Sequence, residues 1–344
     1  MKNLVLLITI LGFTLGNAQN KHSITYKGST GPGLGKKIVF IASDHEYRGE
    51  ETLPALARIL AEHHGFECTV IWALDADGNI HPGSSNIAGF EALKEADLMV
   101  MFVRFADFPD TQMQHLNDYL ERGGPVIGLR TSTHAFKNKE NQTWNHYDFQ
   151  YKGDKTTWKG GFGERILGET WVGHYGKNHE QSSLLILEES QKAHPILSGV
   201  TQPWVQCGGY RAWPIGPDLE VLALGRILNG MTPESPKDTS KREMPVVWTR
   251  TYSMDNGAKG KVFTTTHGAS EDILNDDFRR LLINAHFWAL GMEKAIKPNL
   301  NIDFVGPYTP SKFSFDGYKK GIKPEDLQDL KSPIMPLKQK ATKE

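Results

Sequence analysis

Short, continuous apolar runs alternate with amphipathic helical segments along the first part of the chain. The apolar runs lie at residues 37–42, 68–74, 97–103 and 125–129, and the helical segments at 50–66 and 110–122. Continuous apolar runs of this length are typical of strands that are buried on both faces. Strands that are joined through helices run parallel and have right-handed crossovers. The alternation therefore predicts an α/β fold with a doubly wound, mostly parallel sheet.

The rest of the chain divides into an insertion, further strands and a tail. From residue 137 to residue 176 the sequence is polar, aromatic and Gly-rich, which predicts an insertion over the sheet edge. Strands are predicted at 184–188, 219–227, 245–252 and 261–266, followed by an amphipathic helix at 276–291. We therefore expect an α/β domain over residues 37–292 and an extended tail, rich in Pro and Lys, over residues 293–344.

The N-terminal residues 1–18 have the layout of a cleavable secretory signal. Lys2 is followed by an apolar stretch over residues 4–15 and by the small-residue exit Gly16-Asn17-Ala18. The apolar stretch is about 12 residues long, whereas a helix that spans a bilayer needs roughly 20, and an uncleaved anchor is the alternative. No Cys follows the stretch to accept a lipid. We expect a periplasmic or secreted protein with no membrane contact after cleavage.

Charge and cysteine content narrow the classes of partner and site. Lys and Arg number 39 against 40 Asp and Glu, so the chain lacks the basic surplus of a nucleic-acid-binding protein. The only cysteines, Cys68 and Cys207, exclude a four-thiolate zinc site. In an oxidising compartment the two can pair. The alternative is that Cys68, which lies within an apolar run, is a buried free thiol.

Charged and imidazole side chains follow three of the predicted strands. The residues are Asp44, His45, Glu46, Tyr47 and Arg48 after the first strand, Arg104 after the third, and Arg130 and His134 after the fourth. Ligands of doubly wound sheets bind beyond the carboxyl ends of the strands, so these residues predict a polar binding crevice. For the first group the alternative is a helix cap formed by Ser43 or Asp44.

Two further histidines, His174 and His267, lie beside glycines, and His267 also follows a predicted strand. Together with His45 and His134 they are candidate ligands of a divalent metal, with zinc as the first choice. The H-E-x-x-H spacing of a local zinc motif is missing, so the prediction rests on topology. A structural, hydrogen-bonded role for His134 remains an equal alternative.

Tryptophans are concentrated in the polar insertion. Trp144, Trp158 and Trp171 fall between its glycines, and aromatic faces of this kind stack on the apolar face of sugar rings. We predict that they form a sugar-binding wall. Ordinary packing is the competing interpretation.

Several ordered segments together resemble the ThuA-like (trehalose utilisation) family, whose fold is related to class I glutamine amidotransferases and is flavodoxin-like. The matching stretches lie at 44–60, 97–136, 160–179, 194–200, 245–252 and 261–291. The resemblance implies carbohydrate metabolism, with 3-keto-glycosides as substrates. An amidotransferase needs a Cys on the turn after the fourth strand. That turn carries Arg130, and we expect neither Cys to lie near it, which excludes glutamine hydrolysis by thiol attack.

The residues and the resemblance lead to one functional hypothesis with two rivals. We expect an exported enzyme that enolises a keto-sugar for isomerisation, elimination or glycoside cleavage. His45, Glu46 and His134 are the predicted acid/base residues. The predicted substrate-binding residues are Asp44, Tyr47, Arg48, Arg104, Arg130, Trp171, His174 and His267. The rivals are a non-catalytic carbohydrate-binding module and a metal-dependent amide hydrolase.

Overall fold

The computed structural model describes residues 21–139 and 142–335, so the predicted signal at 1–18 lies outside the described residues. The strands are β1 (Ser23–Lys27), β2 (Lys37–Ser43), β3 (Glu67–Trp72), β4 (Leu98–Val103), β5 (Val126–Leu129), β6 (His174–Tyr175), β7 (Ser182–Leu187), β8 (Trp204–Val205), β9 (Gly209–Tyr210), β10 (Glu220–Leu228), β11 (Met244–Ser253) and β12 (Lys259–Thr265). The α-helices are α1 (Gly49–His64), α2 (Asp110–Glu121) and α3 (Asp276–Ala289). Within residues 21–139 and 142–335, no helix is long and apolar enough to cross a bilayer.

The described strands build one large mixed sheet and a small two-stranded sheet. The large sheet has the order β1-β3-β2-β4-β5-β12-β11-β10-β7-β8, and β6 pairs separately with β9. Strands β3, β2, β4, β5 and β12 are parallel neighbours. The prediction of an α/β fold around parallel strands is confirmed. Beyond β12 the strands run antiparallel, which the sequence did not predict.

Both faces of the parallel strands are covered, which explains their continuous apolar sequences. Ile38 and Phe40 of β2 enter one hydrophobic cluster with side chains of α1 and α3. Val39 and Ile41, which point to the opposite face, enter a second cluster with side chains of α2. Because successive strand residues face opposite sides, the interior residues of β2, Ile38 to Ala42, all need apolar side chains.

The C-terminal segment after α3 packs along the domain as far as residue 335. Its Leu327 carbonyl accepts hydrogen bonds from the Tyr26 hydroxyl at 2.7 Å and from Arg58 Nη2 at 2.9 Å. Phe313 and Leu327 are buried. The segment therefore belongs to the folded body of the protein.

Both cysteines are buried free thiols. Cys68 lies on β3 in the core, and Cys207 lies between β8 and β9. Of the two alternatives left open by the sequence, the structure therefore shows free thiols and no pairing, as the buried-thiol interpretation of Cys68 predicts.

Candidate active site

The loops that follow β2, β4 and β5 meet at the carboxyl end of the sheet. Arg104, directly after β4, links the other residues of this crevice. Its Nη1 lies 3.0 Å from His45 Nε2, and its Nη2 lies 3.3 Å from Glu46 Oε2. The structure thus brings together the charged residues of separate strand ends.

The loop after β2 is shaped by Asp44. One of its carboxylate oxygens, Oδ1, accepts the backbone N–H of Glu46 at 2.9 Å and also that of Tyr47. This turn delays the start of α1 until Gly49, with Arg48 in a left-handed conformation at the N-cap. The alternative that Ser43 or Asp44 caps the helix is therefore wrong. Asp44 instead holds His45, Glu46 and Tyr47 in the loop.

Arg48 uses its guanidinium to hold backbone carbonyls of the loop and of the C-terminal segment. Its Nη2 donates to the carbonyl of His45 at 2.8 Å and to that of Ser314, in the C-terminal segment, at 2.9 Å. Its Nη1 lies 3.4 Å from the buried carboxylate of Glu50. The guanidinium is fully buried by these contacts.

Arg130 occupies a sharp turn directly after β5. Its φ of 42° lies in the left-handed region, and a short helical turn, Arg130–His134, follows. A strained strand-to-helix turn of this kind carries the nucleophile in α/β hydrolases. Here an arginine stands on it, and its Cζ lies 3.7 Å from the centre of the Tyr47 ring and 4.8 Å from that of Tyr210.

The Arg130 guanidinium is only partly hydrogen-bonded. Its Nη1 donates to the carbonyls of Gly208 at 2.8 Å and Thr266 at 2.7 Å. Its Nε and Nη2 are buried and have no hydrogen-bond partner in the described part of the chain. A buried donor without a partner is costly, so these two atoms are suited to an anionic or carbonyl oxygen of a ligand.

His134 forms the opposite side of the crevice among aromatic rings. The centre of its ring lies 4.8 Å from that of Phe105, 5.0 Å from that of Trp171 and 5.8 Å from that of Tyr210. Its Nδ1 lies 3.3 Å from Thr133 Oγ1.

The environment changes the protonation of the three predicted acid/base residues. Burial, opposed by the charges of Arg104 and Arg130, raises the pKa of Glu46. Burial and then Arg104 lower the pKa of His45. Burial, followed by the charges of Arg104 and Arg130, holds the pKa of His134 well below its ordinary value.

His174 closes the crevice beside two residues that the sequence analysis missed. Its Nε2 lies 3.1 Å from the Tyr47 hydroxyl, which also accepts a hydrogen bond from Asn178 Nδ2 at 2.8 Å. On the β6–β9 pair, His174 lies opposite Tyr210. In the sequence, the only sign of Tyr210 as a site residue was the preceding Gly208-Gly209 pair, which allows the backbone to lie close to another segment. No sequence feature predicted Asn178 as a site residue.

The four histidines proposed as metal ligands do not share one set of donor atoms. In the described residues, the only group of three or more His, Cys, Asp or Glu with donor atoms within 4.8 Å of one another is Cys207, His267 and Asp272. Both oxygens of Asp272 already accept backbone N–H groups, and Arg130 Nη1 lies 3.2 Å from Cys207 Sγ. A positive charge at the thiol and an occupied carboxylate make this a poor donor set for a divalent cation.

From the sequence we expected no cysteine near the turn at Arg130. The structure shows that the Cys207 thiol lies beside this turn. The thiol donates to Asp272 Oδ2 at 2.8 Å, and burial raises its pKa well above the ordinary value. A nucleophilic cysteine needs the opposite shift. The closeness of Cys207 to the turn therefore does not supply an activated thiolate.

Two of the three tryptophans predicted to bind sugar are part of the core. Trp144 and Trp158 are only 7% and 3% exposed and pack with Tyr147 inside the insertion. The prediction is wrong for these two because the insertion needs its own apolar core. Trp171 lies at the crevice, 5.5 Å from His174 between ring centres.

Comparisons with known proteins identify the family. A model of the ThuA family, described as trehalose utilisation, matches residues 37–289. No curated protein matches the sequence. A ThuA-like protein from Bacteroides uniformis is similar in structure, with 17% identity over 79% of this chain and 98% of that chain and a TM-score of 0.47. Another, from Parabacteroides merdae, has 16% identity over 82% of this chain and 98% of that chain and a TM-score of 0.48. The match over most of the chain shows that this protein belongs to the ThuA (trehalose utilisation) family.

Proposed function

We propose that the protein is an exported carbohydrate-processing enzyme that enolises a 3-keto-glycoside by general acid/base chemistry. The observation that carries the proposal is the placement of two titratable groups, Glu46 after β2 and His134 after β5, on either side of the β4 strand end that carries Arg104, with Arg130 on the turn after β5. Membership of a trehalose-utilisation family supports a sugar as the substrate. The N-terminal signal predicted at 1–18 supports export.

A ketone at the 3-position acidifies the neighbouring C2–H bond. When a base takes this proton, the C–H electron pair forms a C2=C3 double bond, and the carbonyl π electrons move to oxygen. The enolate can then reform the ketone by expelling the group at C1, so that a C1=C2 double bond forms and an acid protonates the leaving oxygen. Addition of water to that bond completes glycoside cleavage, whereas reprotonation at C2 gives an isomer.

We assign to His134 the tautomer in which Nδ1 carries the proton and Nε2 can act as a base. The Thr133 hydroxyl has one proton, which it donates to the carbonyl of Arg130 at 3.3 Å. Its oxygen can then only accept from His134 Nδ1, so this nitrogen carries the proton and Nε2 carries the lone pair. The hydrogen bond to Thr133 occupies Nδ1, so we assign Nε2 as the atom that meets the substrate.

Glu46 is a suitable partner for His134 because their pKa values shift towards each other. Burial raises the pKa of the carboxyl group and lowers that of the imidazole. A raised carboxyl pKa favours the protonated form that an acid needs, and a lowered imidazole pKa favours the neutral form that a base needs. We assign proton removal to His134 and protonation of the leaving oxygen to Glu46.

We propose that the two arginines bind the enolate oxygen and stabilise its negative charge. Arg130 presents two nitrogens without a hydrogen-bond partner, Nε and Nη2, and Arg104 adds a second positive charge beside Glu46. Fixed cations at the position where negative charge develops stabilise a transition state more than the ground state. Trp171 and Tyr210, which flank His134, provide an aromatic wall for the sugar ring.

The proposal is tested by turnover of methyl 3-keto-glucoside and of the unoxidised methyl glucoside, with products identified by NMR. We expect conversion of the keto-sugar only, and losses of about 10²–10⁴-fold in kcat for Glu46→Gln and His134→Gln. His115→Gln on α2 is the matched control and should retain activity. Retained sugar binding with no conversion would favour the binding-module rival. Because the Cys207 donor set is unfavourable for a cation, we expect EDTA to leave turnover unchanged.

A further inference from the structure

The C-terminal segment brings an aromatic side chain to the mouth of the crevice. The centre of the Phe315 ring lies 5.6 Å from that of His45, and Arg104 Cζ lies 4.8 Å from the Phe315 ring centre. The family match ends at residue 289, so this contact comes from outside the family region. Two residues of the proposed site therefore touch a part of the chain that the family pattern does not include.

The backbone around Phe315 is held in place on both sides. The amide of Asp316 donates to the carbonyl of His45 at 3.0 Å, and the carbonyl of Ser314 accepts from Arg48 Nη2 at 2.9 Å. The preceding Phe313 is buried, with its ring centre 5.2 Å from that of Tyr47. These contacts anchor the segment to the same loop that carries His45 and Glu46.

Phe315 itself is 57% exposed in spite of this anchoring. A single exposed apolar side chain is common and needs no special explanation. Phe315 differs because its ring contacts the cation of the crevice while much of its surface stays open to solvent. An aromatic ring in this position is suited to stack on the apolar face of a sugar.

A cavity of about 280 Å³ lies beside His45 and Arg104, the two residues that Phe315 contacts. Its volume is just below the range of about 300–1,000 Å³ typical of drug-sized ligands, which fits one small ring. Its lining offers hydroxyl and cationic groups for sugar hydroxyls, with no carboxylate among the described lining residues. The lining residues are Ser43, His45, Gly83, Ser84, Arg104, Phe105, Ala106, Lys137 and Lys139.

We propose that Phe315 and this cavity form a second subsite, which binds the leaving-group ring of a keto-disaccharide. This proposal rests on the proposed function. In the proposed function the reacting ring is assigned to the space between His134 and Glu46, against Trp171. Arg104 contacts both Glu46 and Phe315 and therefore lies between this position and Phe315. A substrate with two rings therefore contacts both aromatic walls, whereas a methyl glycoside contacts only the first.

The test compares a 3-keto-disaccharide with methyl 3-keto-glucoside in wild type and Phe315→Ala. We expect kcat/KM for the disaccharide to fall about tenfold, through KM, and the value for the methyl glycoside to change less than twofold. Phe315→Trp should restore the disaccharide value. Trp213→Ala removes an aromatic side chain that is similarly exposed, at 53%, and should change neither substrate.

Each result distinguishes the subsite from the proposed function. Equal losses for both substrates would mean that Phe315 only supports His45 and Arg104, and no loss for either would also overturn the subsite. If wild type converts neither keto-sugar, the proposed function fails. In that case, the affinities of the unoxidised disaccharide and of the methyl glycoside, measured by calorimetry, test the subsite separately. Tighter binding of the disaccharide that is lost in Phe315→Ala supports it, and equal or undetectable binding of the two sugars by wild type overturns it.

Discussion

Arg104 and Arg130 contact the titratable residues of the crevice or change their protonation through their positive charges. Arg104 bridges His45 and Glu46, and Arg130 stands on the turn where a hydrolase nucleophile would lie. The sequence predicted both arginines at strand ends because their strands were clear. It did not predict that Arg130 lies between Tyr47 and Tyr210, because Tyr210 comes from a two-residue strand without a periodic signal.

The pH dependence of turnover tests the state of His134. The base must be unprotonated, and burial with Arg104 and Arg130 holds its pKa well below 6.5. Activity should therefore persist as the pH falls through 6.5, and the acidic limb of kcat/KM should lie below that value. Rate measurements between about pH 4.5 and 8.5, with recovery checked after return to neutral pH, give the limb. A limb centred above pH 6.5 would contradict the assignment.

Replacing Arg104 tests its electrostatic effect without any substrate. The positive charge of Arg104 is the second cause, after burial, of the lowered pKa of His45. In Arg104→Gln the charge is gone, so the pKa of His45 should rise towards its ordinary value, as followed by NMR titration of the imidazole. Arg122→Gln at the end of α2 serves as control. An unchanged or lower His45 pKa in Arg104→Gln would show that the two groups do not interact as described.

At the level of elements, the sequence predicted strands and helices well and loops poorly. The apolar run at 37–42 and β2 (Lys37–Ser43) differ by one residue, because a strand covered on both faces has no polar interior positions. The helix predicted from residue 50 and α1 (Gly49–His64) differ by one residue at the start. The alternative cap at Ser43 or Asp44 was wrong because an Asp at a loop start is common both in helix caps and in the turn that Asp44 forms. Local sequence did not distinguish these two hydrogen-bond patterns.

Asp272 ties two site loops together, and its neutralisation should destabilise the fold. Its Oδ1 accepts the amides of Gln206 at 2.9 Å and Cys207 at 3.2 Å, and its Oδ2 accepts those of Gly268 at 3.0 Å and Ala269 at 2.9 Å. In Asp272→Asn, an NH₂ group would face two amide donors. We expect a loss of about 2–4 kcal/mol in the free energy of unfolding, measured with urea. Asp154→Asn at an exposed position should change it little, and an equally small effect for Asp272→Asn would refute this role.

For the whole molecule, the main result is that the C-terminal segment is part of the folded body and of the crevice. Composition predicted an extended tail, but Pro and Lys content does not reveal where such a tail lies. The burial of Trp144 and Trp158 was missed for a related reason, because only tertiary packing distinguishes a core aromatic from a binding wall. The convergence of strand ends was predictable, since it follows from parallel topology.

The attachment of the C-terminal segment depends on Arg58 of α1. Its buried guanidinium donates to Leu327 O at 2.9 Å and Ser332 Oγ at 3.1 Å, and it lies 5.2 Å from the Tyr26 ring centre. Arg58→Ala should lower the free energy of unfolding by about 3 kcal/mol and speed proteolysis after residue 300. The exposed Glu62→Ala on the same helix is the control. Proteolysis at the wild-type rate in Arg58→Ala would mean that other contacts hold the segment.

Solvent deuterium exchange at C2 of methyl 3-keto-glucoside tests enolisation most directly, since isomerisation, elimination and glycoside cleavage share this step. In D₂O, wild type should incorporate deuterium at C2 at least about 10²-fold faster than His134→Gln, as followed by NMR. Exchange in buffer alone provides the background rate. Exchange by wild type at the buffer rate, or at the same rate in wild type and His134→Gln, would contradict the proposed chemistry.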